Sequence, residues 1–305
     1  MRDVLVVGES LIDIVKMPDG SGAEHPGGSP ANVALGLARL GRSVDLLTRV
    51  GPDARGQVIR SHLEASGVQL VEGSTTQERT STAAATVDER GVATYDFDID
   101  WRIEAAPDLT GYLALHTGSI AAVLPPGGED VLRLVGAARE RMTISYDPNA
   151  RPKLMLPAAV TRPFMERYVA LADVVKVSDE DLAWLAPGVD PMDVARSWLG
   201  LGPAVVVVTF GGRGASAVCA AGQVEVPAPP IVVVDTVGAG DSFMAALIDH
   251  LALTDVLGAT RRERLRAIST REAVAMLDHA VRIAAITCSR AGANPPTRAE
   301  LTLAP

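Results

Sequence analysis

Short apolar runs alternate along this chain with amphipathic stretches of helical length, and this alternation restricts the available folds more than any other feature. Val4 to Val7 reads as a buried strand. Pro30 to Leu40 reads as a helix, with Ser29 as its N-cap, Pro30 at its first position and Gly41 as its closing C′ glycine. Val44 to Leu47 is the next strand, followed by a helix from Gly56 to Ser66 that Gly67 ends. The pairing repeats three times: Ala114 to His116 with a helix near Gly128 to Arg139, Thr143 to Tyr146 with a helix near Arg162 to Leu171, and Val174 to Val177 with a helix opening over Asp179 to Leu185. The pattern predicts an α/β fold in three layers, a mostly parallel central sheet with helices on both faces.

Two segments depart from it. Leu11 to Val15 extends the first strand into a short polar loop. Ser81 to Ile99 alternates apolar and polar residues around a turn at Asp88-Glu89-Arg90-Gly91, which predicts a β-hairpin with Tyr95, Phe97 and Ile99 on one face. Together they predict a small sheet projecting near residues 11–25 and 81–101 from a single domain spanning 1–305. An open strand edge there would let two copies pair, which leaves a homodimer through the projection and a monomer both open.

Composition excludes some partners. At 48% hydrophobic and 21% charged, 305 residues can bury a sizeable core. The net charge of −9 leaves no basic excess for a phosphate backbone, so no nucleic-acid partner is expected, while a small anionic ligand stays open. Cys219 and Cys288 form neither metal spacing nor a disulfide framework and read as thiols of a reducing compartment. The opening MRDVLVVGES reads as strand and turn rather than a signal peptide, and Ala204 to Val208 and Ile231 to Val234 are too short to cross a bilayer. A cytoplasmic protein without a membrane partner is expected. The lysines are Lys16, Lys153 and Lys176, so most of the cationic charge is arginine, and the choice of arginine at any one place carries little information.

Several familiar motifs fail. Gly212-Arg213-Gly214-Ala215-Ser216-Ala217 fits G-x-G-x-x-A, but Ala217 to Val226 alternates around Gly222 and reads as antiparallel strands, where a dinucleotide site needs a helix. There is no G-x-x-x-x-G-K-[ST] and no G-x-S-x-G. His25, His62, His116, His250 and His279 form no close pair and read as solvated or packed.

Asp235-Thr236-Val237-Gly238-Ala239-Gly240-Asp241-Ser242-Phe243 is different. It is expected between a strand, Ile231 to Val234, and a helix, Phe243 to Leu251. Gly238 and Gly240 allow a tight turn that aims successive N–H groups at one point, and the helix N-terminus favours an anion there. This is a phosphate cradle without a Walker lysine. Asp241 would repel a phosphate unless it takes the proton of an attacking hydroxyl; the blander role is a helix cap.

The stretch resembles the C-terminal signature of the ribokinase-like (PfkB) carbohydrate kinases. Gly8-Glu9-Ser10-Leu11-Ile12-Asp13, Gly27-Gly28-Ser29-Pro30-Ala31-Asn32, Asp147-Pro148-Asn149-Ala150-Arg151, Lys176-Val177-Ser178 and Thr209-Phe210-Gly211-Gly212-Arg213-Gly214 stand in family order over nearly the whole chain, closest to bacterial fructokinases. The resemblance implies a ribokinase-like α/β/α domain with a β-sheet lid, and ATP and Mg²⁺ at the site. Asp241 is then the base, and Gly238, Ala239 and Gly240 form the anion hole. Asp13, Gly28 and Asn32 contact the sugar, while Arg102 and Arg151 reach either the sugar or solvent. Ser178, Thr209, Gly211, Gly214 and Gly240 line the nucleotide site. Asp181 stands where the family has a glutamate that organises Mg²⁺ through water. Asp235 and the carbonyl of Val237 match two ligands of a monovalent cation; Pro295-Pro296 stands where a hydroxyl residue often occurs, which leaves K⁺ open. The activity implied is an ATP-dependent sugar kinase of fructokinase type. The alternatives are a 2-keto-3-deoxygluconate kinase or another sugar or nucleoside kinase of the family, and, from a different class, a non-catalytic sugar or nucleotide sensor.

Overall fold

The computed structural model describes residues 3–19, 21–75, 78–88 and 93–303. In chain order its strands are β1 (Val4–Val7), β2 (Leu11–Lys16), β3 (Gly22–Gly27), β4 (Val44–Leu47), β5 (Gln69–Leu70), β6 (Thr82–Val87), β7 (Ala93–Asp98), β8 (Ala114–Gly118), β9 (Thr143–Asp147), β10 (Val174–Ser178), β11 (Val205–Thr209), β12 (Ala215–Cys219) and β13 (Gly222–Val226). Its helices are α1 (Ser29–Arg39), α2 (Ala54–Glu64), α3 (Gly127–Ala138), α4 (Ala158–Leu171), α5 (Asp179–Leu185), α6 (Pro191–Leu199), α7 (Ala239–Leu253), α8 (Arg262–Arg266), α9 (Thr270–Cys288) and α10 (Arg298–Leu303).

The main sheet runs β13-β12-β11-β10-β9-β8-β1-β4-β5. It is parallel from β5 to β11, and β12 and β13 add antiparallel at one edge. Period-2 geometry explains why β1 and β11, covered on both faces, each carry four apolar residues in succession. Val4 and Val6, like Val205 and Val207, enter the core shared with α1, α7 and α9. Leu5 and Val7, like Val206 and Val208, enter the core shared with α3, α4 and α6. Burying these strands on both faces removes far more apolar area from water than an alternating strand could.

Local chemistry sets the helix starts. The Asp53 side chain accepts from Gly56 N at 2.8 Å, so α2 begins at Ala54, ahead of the expected Gly56. Ser269 and Glu272 form a reciprocal capping box at the start of α9. Behind the site, Asp249 of α7 is buried and pairs with Arg42, His279 and Arg298, joining α7 to α9, α10 and the end of α1.

The projection is a second sheet of order β3-β2-β6-β7. Leu11–Lys16 is not a continuation of β1 into a loop. It is an inner strand, antiparallel to β3 and parallel to β6. Ile12 and Ile14 fill the core beside α1, and Asp13 lies on the opposite face. β6 and β7 pair antiparallel as the expected hairpin, while most of its Asp88–Gly91 turn falls outside the described residues. Tyr95 and Phe97 stack at 6.0 Å on one face, and Lys153 Nζ sits 3.6 Å above the Tyr95 ring.

One expected strand is absent. Ile231 to Val234 is irregular, and Val232 is 83% exposed. Pro227, Pro229 and Pro230 precede it; proline donates nothing to a ladder, and the chain leaves the sheet after β13. The end of the run is tethered where Val234 N and Asp235 N both donate to the Cys288 carbonyl.

Candidate functional site

The parallel strands carry their following loops out at one edge of the main sheet, where ligands of open α/β sheets bind. Glu9 follows β1, Ser119 follows β8, Asn149 follows β9, Ser178 ends β10 and Thr209 ends β11. The N-termini of α1 and α7 converge on the same edge, and Gly36 lets the two helices approach closely, since a Cβ there would stand 2.9 Å from that of Ala245.

Asp241, the third residue of α7, is 7% exposed and fully engaged. Ser29 Oγ donates to its Oδ1 at 2.7 Å and Asn32 Nδ2 donates to its Oδ2 at 2.8 Å. Asn149 Nδ2 donates to Ser29 Oγ at 2.7 Å and to Asp241 Oδ1 at 3.3 Å. Ser29 is therefore not the N-cap expected from sequence. Gly28 holds the cap position at φ +104°, without a side-chain bond, and Ser29 turns its hydroxyl inward to the carboxylate. A Cβ on Gly28 would also fall 2.4 Å from the Glu9 carbonyl oxygen, so the chain's own backbone requires glycine here.

Gly238 caps α7 from the left-handed region, φ +73°, pressed against Ala293. Ala239 N is spent on the Thr236 carbonyl at 3.2 Å. Among the described residues no protein acceptor takes the N–H of Gly238 or Gly240, and these two amides remain for an anion. The turn has no Walker lysine, as expected, but a lysine from another strand stands beside it. Lys176 of β10 is buried, and its Nζ lies 3.1 Å from where a Cβ on Gly240 would be. It pairs with buried Asp147 at 2.8 Å. Burial pushes the Asp147 carboxyl up to about 6; Lys176 draws it down, and Asp181 and Asp241 push it further up.

The small sheet supplies Asp13, whose Oδ2 packs against Gly27. Desolvation in the cleft raises its carboxyl; Arg151 and His25 oppose the shift and Asp241 adds to it. Asp13, Arg151 and Asp241 thus share one electrostatic neighbourhood. The Arg151 guanidinium donates to Asn149 Oδ1 at 2.6 Å and to the Asn149 and Ala150 carbonyls. Arg102 pairs with Asp100 and Glu104 and lines, with Glu78, Arg79, Ser81 and Asp98, a cavity of about 550 Å³.

Toward the other end, Ser178 and Asp181 cap α5 reciprocally, and Asp181 Oδ1 also accepts from Ala150 N at 3.0 Å. Gly211 opens a single 3₁₀ turn at φ +54°, and Gly214 closes it against the Val226 carbonyl. With antiparallel β12 following, no helix begins there. The Asp235 carboxylate accepts from Val237 N at 3.0 Å and Gly292 N at 2.8 Å, and these amides hold it below the usual carboxylate range. Among the described residues no three His, Cys, Asp or Glu side chains are placed to hold a metal ion, and no helix is long and apolar enough to cross a membrane.

Four residues escaped the sequence reading in these roles: Ser29, Asn149, Lys176 and Glu9. Asn149 carried a signal, standing beside Asp147 and Arg151, and its φ of +37° marks a backbone held by its surroundings. Buried Glu9 accepts from Ala121 N at 3.1 Å, and burial raises its carboxyl to about 7. His116 is packed as expected: it contacts Ser145 Oγ at 3.1 Å, and burial lowers it to about 3.

Comparison with known proteins bears on this geometry. Residues 1–300 match the model of the pfkB family carbohydrate kinases. The chain is 34% identical over 260 residues to a fructokinase of Klebsiella pneumoniae, covering 82% of this chain and 84% of the relative. It superposes on the fructokinase of Vibrio cholerae O395, solved with fructose, ADP and calcium ion bound, with a TM-score of 0.79, 25% identity, and 99% and 98% of the two chains covered. It also superposes on the aminoimidazole riboside kinase of Salmonella enterica, solved with aminoimidazole riboside and an ATP analog, with a TM-score of 0.82, 25% identity, and 99% of each chain covered.

Proposed function

Because the chain belongs to the pfkB family of carbohydrate kinases, and so is an ATP-dependent sugar kinase, we propose that its acceptor is fructose and that Asp241 is the base of the transfer. The observation that carries the reading is the placement of one buried carboxylate beside the free amides of Gly238 and Gly240, with Lys176 behind them and the lid carboxylate Asp13 across the cleft.

In this reading Asp13, Gly28 and Asn32 hold the sugar, with Arg151 beside them. A sugar hydroxyl gives its proton to Asp241 as its oxygen bonds to the terminal phosphorus of ATP. The bond from phosphorus to the bridging oxygen breaks, and ADP leaves with that electron pair. The Gly238 and Gly240 amides and the Lys176 ammonium stabilise the charge on the transferring group, and Ala239 shapes the turn. Ser178, Thr209, Gly211 and Gly214 line the nucleotide's side of the cleft.

Each Asp181 oxygen accepts a single N–H, which leaves lone pairs for water, and this fits Mg²⁺, an ion that keeps several of its waters. When bound, Mg²⁺ offsets the charge of the phosphates. The outer edges of β3 and β7 are where a second copy would add, which light scattering tests.

The deciding experiment is a coupled ADP-release screen over fructose, other sugars and 2-keto-3-deoxygluconate, with and without K⁺ to test for a cation at Asp235 and Val237. Fructose should give the highest kcat/KM. Preference for the keto-acid, abolished by Arg151→Ala, would replace this acceptor with an acid sugar. Calorimetric sugar binding with no ADP formed would make the protein a sensor.

A further inference from the structure

We propose that Ser29 and Asn149 are positioning residues, forming a one-way hydrogen-bond relay from Arg151 that fixes the orientation of the Asp241 carboxylate. The inference rests on Asp241 being the base. The relay runs from Arg151 Nη1 to Asn149 Oδ1 at 2.6 Å, from Asn149 Nδ2 to Ser29 Oγ at 2.7 Å, and from Ser29 Oγ to Asp241 Oδ1 at 2.7 Å.

Its polarity follows from the donor inventory. A guanidinium only donates, so the Asn149 oxygen must face Arg151 and its NH₂ must face Ser29. Ser29 has one proton, and with Asn149 donating to its oxygen, that proton goes to Asp241. No member can reverse without leaving a donor facing a donor. Asn32 holds the other carboxylate oxygen, so the plane of the group is fixed from two sides.

The cost of the arrangement marks it as selected by its surroundings. Asn149 sits at φ +37°, where a non-glycine residue carries a backbone cost that is smallest for asparagine, and its side chain makes contacts to three different residues. Ser29 lies in the first turn of α1, where a hydroxyl would serve the helix from the cap position; here it serves a carboxylate 212 residues away. A proton acceptor must point at the hydroxyl it serves, and a small misplacement is enough to lose much of the rate.

The test uses Ser29→Ala, Asn149→Gly, their double variant and Asp241→Asn, each assayed for kcat and for both KM values. Glycine keeps the positive φ at 149, so that variant removes the amide without backbone strain. Ser29→Ala should lower kcat about 10-fold with both KM values within about 3-fold, a loss confined to the transition state. Asn149→Gly should do the same to a smaller degree. Because Asn149 acts chiefly through Ser29, the double variant should be no slower than about twice Ser29→Ala. Unchanged kcat in both single variants, losses that multiply in full, or a rise in sugar KM at constant kcat would overturn the relay. Near-native turnover by Asp241→Asn would instead remove the base on which it acts.

Discussion

Asp241→Asn separates the fold from the chemistry, because the structure gives a magnitude for each. The carboxylate accepts from Ser29 Oγ, Asn32 Nδ2 and Asn149 Nδ2. An amide of the same shape offers one oxygen and one NH₂. With its oxygen toward Asn32, the NH₂ faces Ser29 Oγ, which already accepts from Asn149. With its oxygen toward Ser29, the NH₂ faces Asn32, whose own amide must then turn over. Either way about one hydrogen bond is lost or strained, about 1–3 kcal/mol. The lost charge returns part of this, since Asp241 raises the carboxyls of both Asp13 and Asp147. At roughly 2–4 °C per kcal/mol for a chain of this order, Tm should fall by only a few degrees. Removing a positioned base should lower kcat by about 10²–10⁴, with sugar KM changed only several-fold. Coupled ADP release and a thermal melt on the same preparation check both. Turnover near that of the parent would refute the reasoning; so would a collapse in Tm, which would mean the carboxylate holds α1 to α7 rather than serving a reaction.

Lys176→Met should cost about 3–5 kcal/mol in denaturant melts, because Asp147 is left buried without its cation. Adding Asp147→Asn should restore most of that stability and none of the lost turnover. Burial raises Glu9 from 4.5 to about 7, so the folded chain keeps a proton that the unfolded chain has released, and stability falls as pH rises through that window. Glu9→Gln should therefore be more stable than the parent by about 3 kcal/mol at pH 8 and equal to it at pH 4, read by urea titration at both. Asp249 is held below its ordinary 3.8, its hydrogen bonds from His279, Arg298 and Arg42 overcoming burial, so its stabilisation is present above that pH and lost as pH falls through the lowered value. Asp249→Asn should lower Tm at pH 7, leave kcat near the parent's, and lose its difference from the parent in strong acid.

The sheet was legible because its strands obey a local rule. A strand covered on both faces favours apolar residues at successive positions, and β1 and β11 each carry four in a row. Ile231 to Val234 satisfies the same rule and is not a strand, because strand formation also needs a partner, and the prolines before it take the chain away from the sheet edge. The small sheet was half legible. Its hairpin alternates, but Gly22–Gly27 contains Glu24, His25 and Pro26 and is a strand only because β2 pairs with it.

The candidate site divides along the same line. The glycine turn is local, so Gly238 and Gly240 announce themselves. The groups that aim the carboxylate come from α1 and from the loop after β9, more than 90 residues away, and no periodicity connects them to it. Lys176 is the instructive case. In a chain that otherwise writes its cations almost entirely as arginine, a lysine stands inside the apolar run Val174–Ser178. A charge in a strand buried on both faces must meet an opposite charge or a ligand. Lys176 meets Asp147, and in doing so places its ammonium against Gly240. Composition had discounted the arginines; by the same logic it should have singled out this lysine. A cation that the rest of the chain avoids, held at a burial cost beside a turn with two free amides, is the residue whose removal should separate a phosphate-handling site from a merely well-capped helix.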